Sequence, residues 1–248
     1  MPALFLRAEG QGPAATVIHL QGFDSVKETQ YPYLGGYRPR GLSALIVDQP
    51  GAGEALRLHG LKAQLDAEEY VSVLVDYLET RPDVDAARIG VAGLSMGGYL
   101  APRAAAFEPR IKACVAWGAL YDLGPLVRGM LQRVQGATAA PLPDAIEHAL
   151  WTFGLESVEA WAEIAEKMTL RGVLQNLTCP LLVTHGENDR QVPLEQAQRT
   201  VDEAASANKQ LKVFRAEDGG SEHCQLDNRY MGADYVTDWF RETLIGVP

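Results

Sequence analysis

The sequence predicts an α/β protein, a mostly parallel central sheet with helices on both faces. Three observations carry that expectation. Short β-prone apolar runs alternate with helical patterns along most of the 248 residues, the rhythm of parallel strands joined by helical crossovers. Thr16–Leu20 and Leu42–Val47 are near-continuous β-prone runs, as strands buried on both faces are. Glycine-bearing loops follow these strands at their carboxyl ends, where ligands of such sheets bind.

In chain order, Pro2–Ala8 and Ala15–Leu20 read as strands separated by the turn Glu9-Gly10-Gln11-Gly12-Pro13. Gln21-Gly22-Phe23-Asp24-Ser25 follows, and a helix begins near Lys27. Leu42–Val47 is the next strand, with the loop Asp48-Gln49-Pro50-Gly51-Ala52-Gly53-Glu54 after it. Ala67–Glu79 has helical periodicity, with Tyr70, Val71, Leu74, Val75 and Leu78 on one face. Asp83-Val84-Asp85 turns into the strand that ends at Gly93, and a helix spans Met96–Phe107, where Pro102 predicts a bend. Ile111–Trp117 is a strand. From Tyr121 to about Gly172 the rhythm breaks into helical stretches, so residues 121–172 read as a helical lid inserted into a core of 1–120 and 173–248. Pro180–His185 and Leu211–Arg215 complete the strands, with helices Leu194–Ala205 and Gly232–Leu244.

Composition narrows the function. A chain of this length suits one large core. A net charge of −10 with no basic run argues against nucleic-acid and anionic-membrane partners. No apolar run reaches transmembrane length, and Met1-Pro2-Ala3 does not open a signal peptide. Cys114, Cys179 and Cys224 are scattered, odd in number and without metal-ligand spacing. That reads as a reduced, cytoplasmic protein without structural disulfides. The expected partner is a small-molecule substrate, with a homodimer as the one assembly left open. No cofactor or metal is expected.

The centre of the chain is Gly93-Leu94-Ser95-Met96-Gly97, between an apolar run and a helical pattern. A nucleophilic serine in a tight strand-to-helix turn projects its hydroxyl free, and side chains two positions before and after it would collide. The helix then points its N-terminus at developing negative charge. Such a serine needs a histidine base, and the histidine needs a carboxylate to orient it. Of five histidines, His19 and His185 lie in or end strands, and His59 and His148 have no supporting motif. His223 lies in a Gly-Gly loop after the last strand, and Asp189 in a loop after the strand before it. The order Ser95, Asp189, His223 is the expected one. Glu187, Glu217 and Asp218 are rival orienters. Two backbone N–H groups are candidates for the oxyanion hole: Met96, after the nucleophile, and Phe23, in the first loop. Asp24 has two readings, a cap for the helix near Lys27 or an acid in the crevice, and the residues alone favour the cap. Cys224 reads as a packed neighbour of the site.

Gly-x-Ser-x-Gly, Asp48–Glu54, His185-Gly-x-x-Asp189 and the late His223 together resemble the α/β-hydrolase superfamily. Gly22-Phe23-Asp24-Ser25, Glu108-Pro109-Arg110, Ala113–Gly118 and Asp218-Gly219-Gly220-x-x-His223-Cys224 resemble the 2,6-dihydroxypseudooxynicotine hydrolase group and fungal heptaketide-shortening hydrolases. That resemblance implies cofactor-free cleavage of a carbon–carbon bond next to a ketone in an aromatic β-diketone-like substrate. It also implies that the acid after the Gly-x of the first loop, here Asp24 where the group usually has glutamate, serves the active site. The group carries a helical segment before the first core strand. Here the chain starts almost at that strand, either as a minimal form or because an N-terminal part is absent from the sequence. Carboxylester hydrolysis by the same residues is the competing chemistry. A noncatalytic binding protein of this fold would usually show a damaged Ser-His-Asp set.

Overall fold

The structure, a computed structural model, describes residues 1–135 and 144–246. Seven strands, β1 (Ala3–Leu6), β2 (Ala14–Leu20), β3 (Leu42–Val47), β4 (Val84–Leu94), β5 (Ile111–Trp117), β6 (Leu181–Gly186) and β7 (Lys209–Phe214), form one sheet. Their order is β1-β3-β2-β4-β5-β6-β7. β1 is antiparallel to β3, and all other pairings are parallel. The helices are α1 (Lys27–Leu34), α2 (Gly53–Arg57), α3 (Ala67–Glu79), α4 (Gly97–Phe107), α5 (Gly124–Gln135), α6 (Asp144–Phe153), α7 (Val158–Lys167), α8 (Leu194–Glu203) and α9 (Arg229–Leu244).

Strand alternation divides the core between the two faces. Ile18, Val91 and Cys114 pack on one side with α3 and α4, through Val71, Leu74, Tyr99 and Leu100. Val17, Ala92 and Val115 face the other, against Leu34 of α1 and Val236 and Phe240 of α9. Because both faces are covered, all six residues of β3 are buried, which is why its sequence is apolar without alternation. Each such aliphatic side chain contributes about 1.5–3 kcal/mol of burial.

The register brings the site loops to one edge. Leu20 pairs with Val47 on one side and Gly93 on the other. Trp117 pairs with Leu94 and Thr184. The chain therefore leaves β2, β3, β4, β5 and β6 on the same side of the sheet.

Several boundaries differ from the sequence expectation, each for a local reason. β1 ends at Leu6 rather than Ala8, because the Ala8 N–H donates to Ser43 Oγ at 3.0 Å instead of continuing the ladder. β7 starts at Lys209, where pairing with Leu181 outweighs the polar character of Lys209-Gln210. α8 stops at Glu203, and the Ala205 N–H goes to the Leu174 carbonyl at 3.0 Å. α9 begins at Arg229 rather than Gly232, capped by Asn228, whose Oδ1 accepts from the Met231 N–H at 3.4 Å. α4 runs through Pro102 as one element.

Between β5 and β6 lie α5, α6 and α7. Both ends of this segment are pinned: the Leu123 N–H donates to the Met168 carbonyl at 3.0 Å, and the Leu170 N–H to Tyr121 at 2.8 Å. Residues 136–143 of the predicted insertion lie outside the described residues. No described helix is long and apolar enough to cross a membrane.

Candidate active site

Ser95 stands between the end of β4 and the start of α4, with φ of 54°. A left-handed backbone at a non-glycine residue costs about 1–3 kcal/mol and persists only where its surroundings enforce it. The Ser95 N–H donates to the Trp117 carbonyl at 2.8 Å, and its own carbonyl accepts from the Gly98 N–H at 2.7 Å. Glycine is required on both sides for steric reasons. A Cβ on Gly93 would run into the backbone of Gly97, and one on Gly97 would lie 3.0 Å from the carbonyl oxygens of Leu20 and Gln21.

His223 Nε2 lies 2.8 Å from Ser95 Oγ, and His223 Nδ1 lies 2.6 Å from Asp189 Oδ2. The second carboxylate oxygen, Oδ1, accepts the N–H groups of Gln191 at 2.8 Å and Val192 at 2.9 Å. Burial pushes the Asp189 carboxyl up, but the His223 hydrogen bond and these two N–H groups outweigh it and hold its pKa below the ordinary value. Burial alone would lower the His223 pKa. The Asp189 carboxylate reverses that, with Cys224 adding to it, and pushes it up to about 10.

The loop that carries His223 is held from several directions. Asp227 accepts the N–H groups of Gly220, Ser221 and Glu222 at 3.1, 2.9 and 3.1 Å. Trp117 Nε1 donates to Gln225 Oε1 at 2.6 Å, tying the loop to β5. Cys224 and Gln225 both have positive φ, 49° and 54°. Cys224 is buried, with Sγ 3.6 Å from His223 Nε2 and 3.4 Å from the Trp117 carbonyl.

The other titratable candidates are placed elsewhere. Glu187 accepts the Ala216 N–H at 2.6 Å, Asp218 accepts the Arg215 N–H at 3.0 Å, and the Glu217 side chain is exposed beside Arg215. His185 donates from Nε2 to the Val192 carbonyl at 2.9 Å, and burial lowers its pKa. His19 is buried beside Tyr37, and burial drives its pKa down to about 3.

The N–H of Phe23, in the first loop, and that of Met96, the residue after the nucleophile, have no protein acceptor among the described residues. The two residues before Phe23 are engaged. The Gly22 N–H donates to Ser25 Oγ at 2.8 Å. Gln49 clamps the Gln21 peptide from both ends, Oε1 accepting its N–H at 2.9 Å and Nε2 donating to its carbonyl at 3.0 Å. Behind the loop, the fully buried Asp48 accepts the N–H groups of Lys27 and Glu54, both at 2.8 Å, and pairs with Lys27 Nζ at 3.0 Å. This carboxylate joins the starts of α1 and α2, and so fixes where the loop enters α1.

Asp24 makes no hydrogen bond to α1, whose N-cap is Val26, so it is not the helix cap favoured by its residue type. It is exposed and lines a cavity together with Ser95 and His223. His148 is a contact that sequence reasoning missed. From α6 its Nε2 donates to the Phe23 carbonyl at 3.2 Å, and its ring meets the Phe23 ring edge-on with centroids 4.8 Å apart. Trp161 of α7 stacks on the Phe23 ring, with centroids 6.5 Å apart. No local pattern marks a pairing 125 residues apart.

Two cavities meet at the serine, sharing Phe23, Ser95, Ala145 and Gln191. The first, about 360 Å³, contains His223, Trp117, Asp24, Tyr33 and Arg229. The second, about 310 Å³, is walled by α5 and α7 through Leu123, Leu126, Met130 and Trp161, and includes Met96.

Residues 49–246 match the prolyl oligopeptidase family. The chain is 29% identical to 2,6-dihydropseudooxynicotine hydrolase of Paenarthrobacter nicotinovorans over 99% of its own length and 62% of that protein's. It is 33% identical to 20-hydroxy-prefusarin hydrolase FUS2 of Gibberella moniliformis over 74% of this chain and 50% of the relative. The chain thus spans about half to three fifths of the length of these relatives. A crystal structure of 2,6-dihydroxy-pseudo-oxynicotine hydrolase superposes with a TM-score of 0.82 and 28% identity, covering 98% of this chain and 64% of the other. Est1E of Butyrivibrio proteoclasticus, solved with ferulic acid, shares the fold at a TM-score of 0.71 and 19% identity, covering 98% and 94%. The resemblance to the 2,6-dihydroxypseudooxynicotine hydrolase group therefore holds, and the fold is that of the α/β-hydrolases.

Proposed function

We propose for this chain, which belongs to the prolyl oligopeptidase family, the function of a cofactor-free serine hydrolase that splits a carbon–carbon bond next to a ketone in an aromatic β-diketone-like substrate. The observation that carries the reading is the unbroken line Asp189–His223–Ser95, with contacts of 2.6 and 2.8 Å, opening onto two cavities.

Ser95 Oγ attacks the ketone carbon while His223 Nε2 takes its proton. Asp189 holds the imidazole with its proton on Nδ1 and stabilises the imidazolium. The carbonyl oxygen becomes an alkoxide and accepts the N–H groups of Phe23 and Met96, in an oxyanion hole worth several kcal/mol of barrier. Collapse of this intermediate breaks the carbon–carbon bond. The electron pair leaves as the enolate of the second ketone, which takes the proton from His223. Water, deprotonated by His223, then cleaves the Ser95 ester. The helices α5, α6 and α7 act as the lid over this reaction. Asp24, across the first cavity, assists protonation of the leaving carbon directly or through a water.

A second reading, an aryl carboxylesterase, is favoured by one observation: Asp24 is exposed and unpartnered among the described residues, and ester hydrolysis does not need it. Product analysis on an aryl β-diketone and a size-matched aryl ester separates the two. The proposal expects acid plus ketone from the diketone, with Asp24→Asn suppressing that reaction and sparing the ester. Turnover of the ester alone, with Asp24→Asn silent, establishes the esterase. Full activity in Ser95→Ala on both overturns either reading.

A further inference from the structure

The geometry points to an anion-recognition subsite in the second cavity, in which Arg133 and Arg190 receive a carboxylate at the end of an apolar acyl chain. The assignment to the acyl half rests on the serine hydrolase reading; the subsite itself does not.

The second cavity is apolar along its wall, through Leu123, Leu126, Met130 and Trp161, and its only charged lining residues among those described are Arg133 of α5 and Arg190 of the loop after β6. No carboxylate of the described residues lines it. An exposed arginine on its own is unremarked surface. These two differ from most of the others in this acidic chain, which carries 32 Asp and Glu against 22 Lys and Arg. Arg40, Arg81, Arg88, Arg103 and Arg110 are all ion-paired, and Arg57 and Arg229 lie over aromatic rings. Arg133 and Arg190 have no ion pair, side-chain hydrogen bond or ring contact among the described residues. Residues 136–143, which follow Arg133 closely, contain no Asp or Glu, so no carboxylate of that segment neutralises it.

A guanidinium is always charged and presents a planar fork that matches a carboxylate. In a chain of net charge −10, the overall field repels an anionic substrate, and two guanidinium groups lining one cavity counter that locally. The apolar side chains that line the same cavity set the rest of the ligand: a hydrocarbon segment, with the reacting carbonyl at Ser95 and the anion at the arginines.

Which half of the substrate lies here follows from the base. His223 lines the first cavity and not the second, and the leaving group must take its proton from His223. The leaving group therefore occupies the first cavity, and the acyl half, esterified to Ser95 Oγ, extends along the second. Water then adds its hydroxyl to the acyl carbon, and its proton returns through His223 to Oγ. The product released from the second cavity is a dicarboxylate.

The test is calorimetric binding of monomethyl suberate and of its neutral counterpart, dimethyl suberate, to the 248-residue chain carrying Ser95→Ala. The half-ester is expected to bind about tenfold more tightly, with the preference weakening as salt rises. Arg133→Gln with Arg190→Gln in the same chain should cut the preference to below about threefold. Equal binding of the two esters overturns the subsite, and so does a preference that survives both substitutions. Turnover of the same pair by the Ser95 protein is measured in parallel. A binding preference that depends on the arginines, with no turnover of the half-ester, of the aryl β-diketone or of the aryl ester, retains the subsite and removes the serine hydrolase reading.

Discussion

Asp189→Asn tests the chemistry through the tautomer of one imidazole. In the native site Oδ1 of Asp189 accepts two backbone N–H groups, from Gln191 at 2.8 Å and Val192 at 2.9 Å. Those donors need an oxygen, so in the variant the amide oxygen stays with them. The NH2 group must then take the place of Oδ2, 2.6 Å from His223 Nδ1. Two donors cannot share that contact. His223 relieves it by moving its proton to Nε2 and accepting the amide N–H at Nδ1. Nε2 now faces Ser95 Oγ, 2.8 Å away, as a donor, and the serine has no base. Loss of the correct tautomer lowers kcat by about 10⁴-fold, equivalent to about 5.5 kcal/mol of barrier. The size of the side chain is unchanged, so the Tm should move by no more than about 3 °C. The assay is kcat/KM on an aryl ester at neutral pH, with Tm measured on the same preparation. An Asp189→Asn protein that is folded and keeps more than a tenth of the activity would refute the argument.

Three further outcomes can be measured alongside it. The raised pKa of His223 sets the pH dependence: catalysis needs the neutral imidazole, so kcat/KM rises with pH as His223 loses its proton. The midpoint should lie above 6.5, and Cys224→Ala should lower it; a native midpoint below 6.5 would contradict the assignment. His148→Ala should reduce kcat about tenfold with little change in KM, because it frees the Phe23 carbonyl and loosens one oxyanion donor, and His148→Gln, which restores a donor, should recover part of the loss; an equal fall in both variants would remove this positioning role. The Arg110 guanidinium, with Ser72 and the Arg110 N–H, holds the buried Glu108 carboxyl down at about 2 against burial. A depressed carboxylate stabilises the fold above its unfolded pKa, so Glu108→Gln should cost about 2 kcal/mol at pH 7 in urea unfolding, and the difference should vanish between pH 4.5 and 2.

Much of the architecture was legible because its causes are local. β3 and α3 fall at Leu42–Val47 and Ala67–Glu79, where an unbroken apolar run and a one-faced apolar stripe leave little choice of conformation. Gly93 could be read because its missing Cβ would meet Gly97 within the same turn, whereas the exclusion at Gly97 comes from Leu20 and Gln21, which only the fold brings there. Asp189 and His223 could be nominated from their order and their place after strands. Local rules failed where contacts cross the chain. Asp24 has the residue type of a cap, yet the cap is Val26 and the loop N–H of Gly22 goes to Ser25. His148 carried no pattern, since its meaning depends on α6 packing over a loop 125 residues away.

By itself the sequence determined the strand–helix rhythm, the elbow at Ser95 and the small set of residues able to act with it, because period, turn sterics and residue chemistry are properties of short segments. Only the tertiary structure decided how closely His223 approaches the serine, what holds the Phe23 loop, and that two arginines from α5 and the β6 loop border one apolar cavity. Those are distances between elements remote in sequence, and they are set by sheet register and packing, which no local pattern encodes.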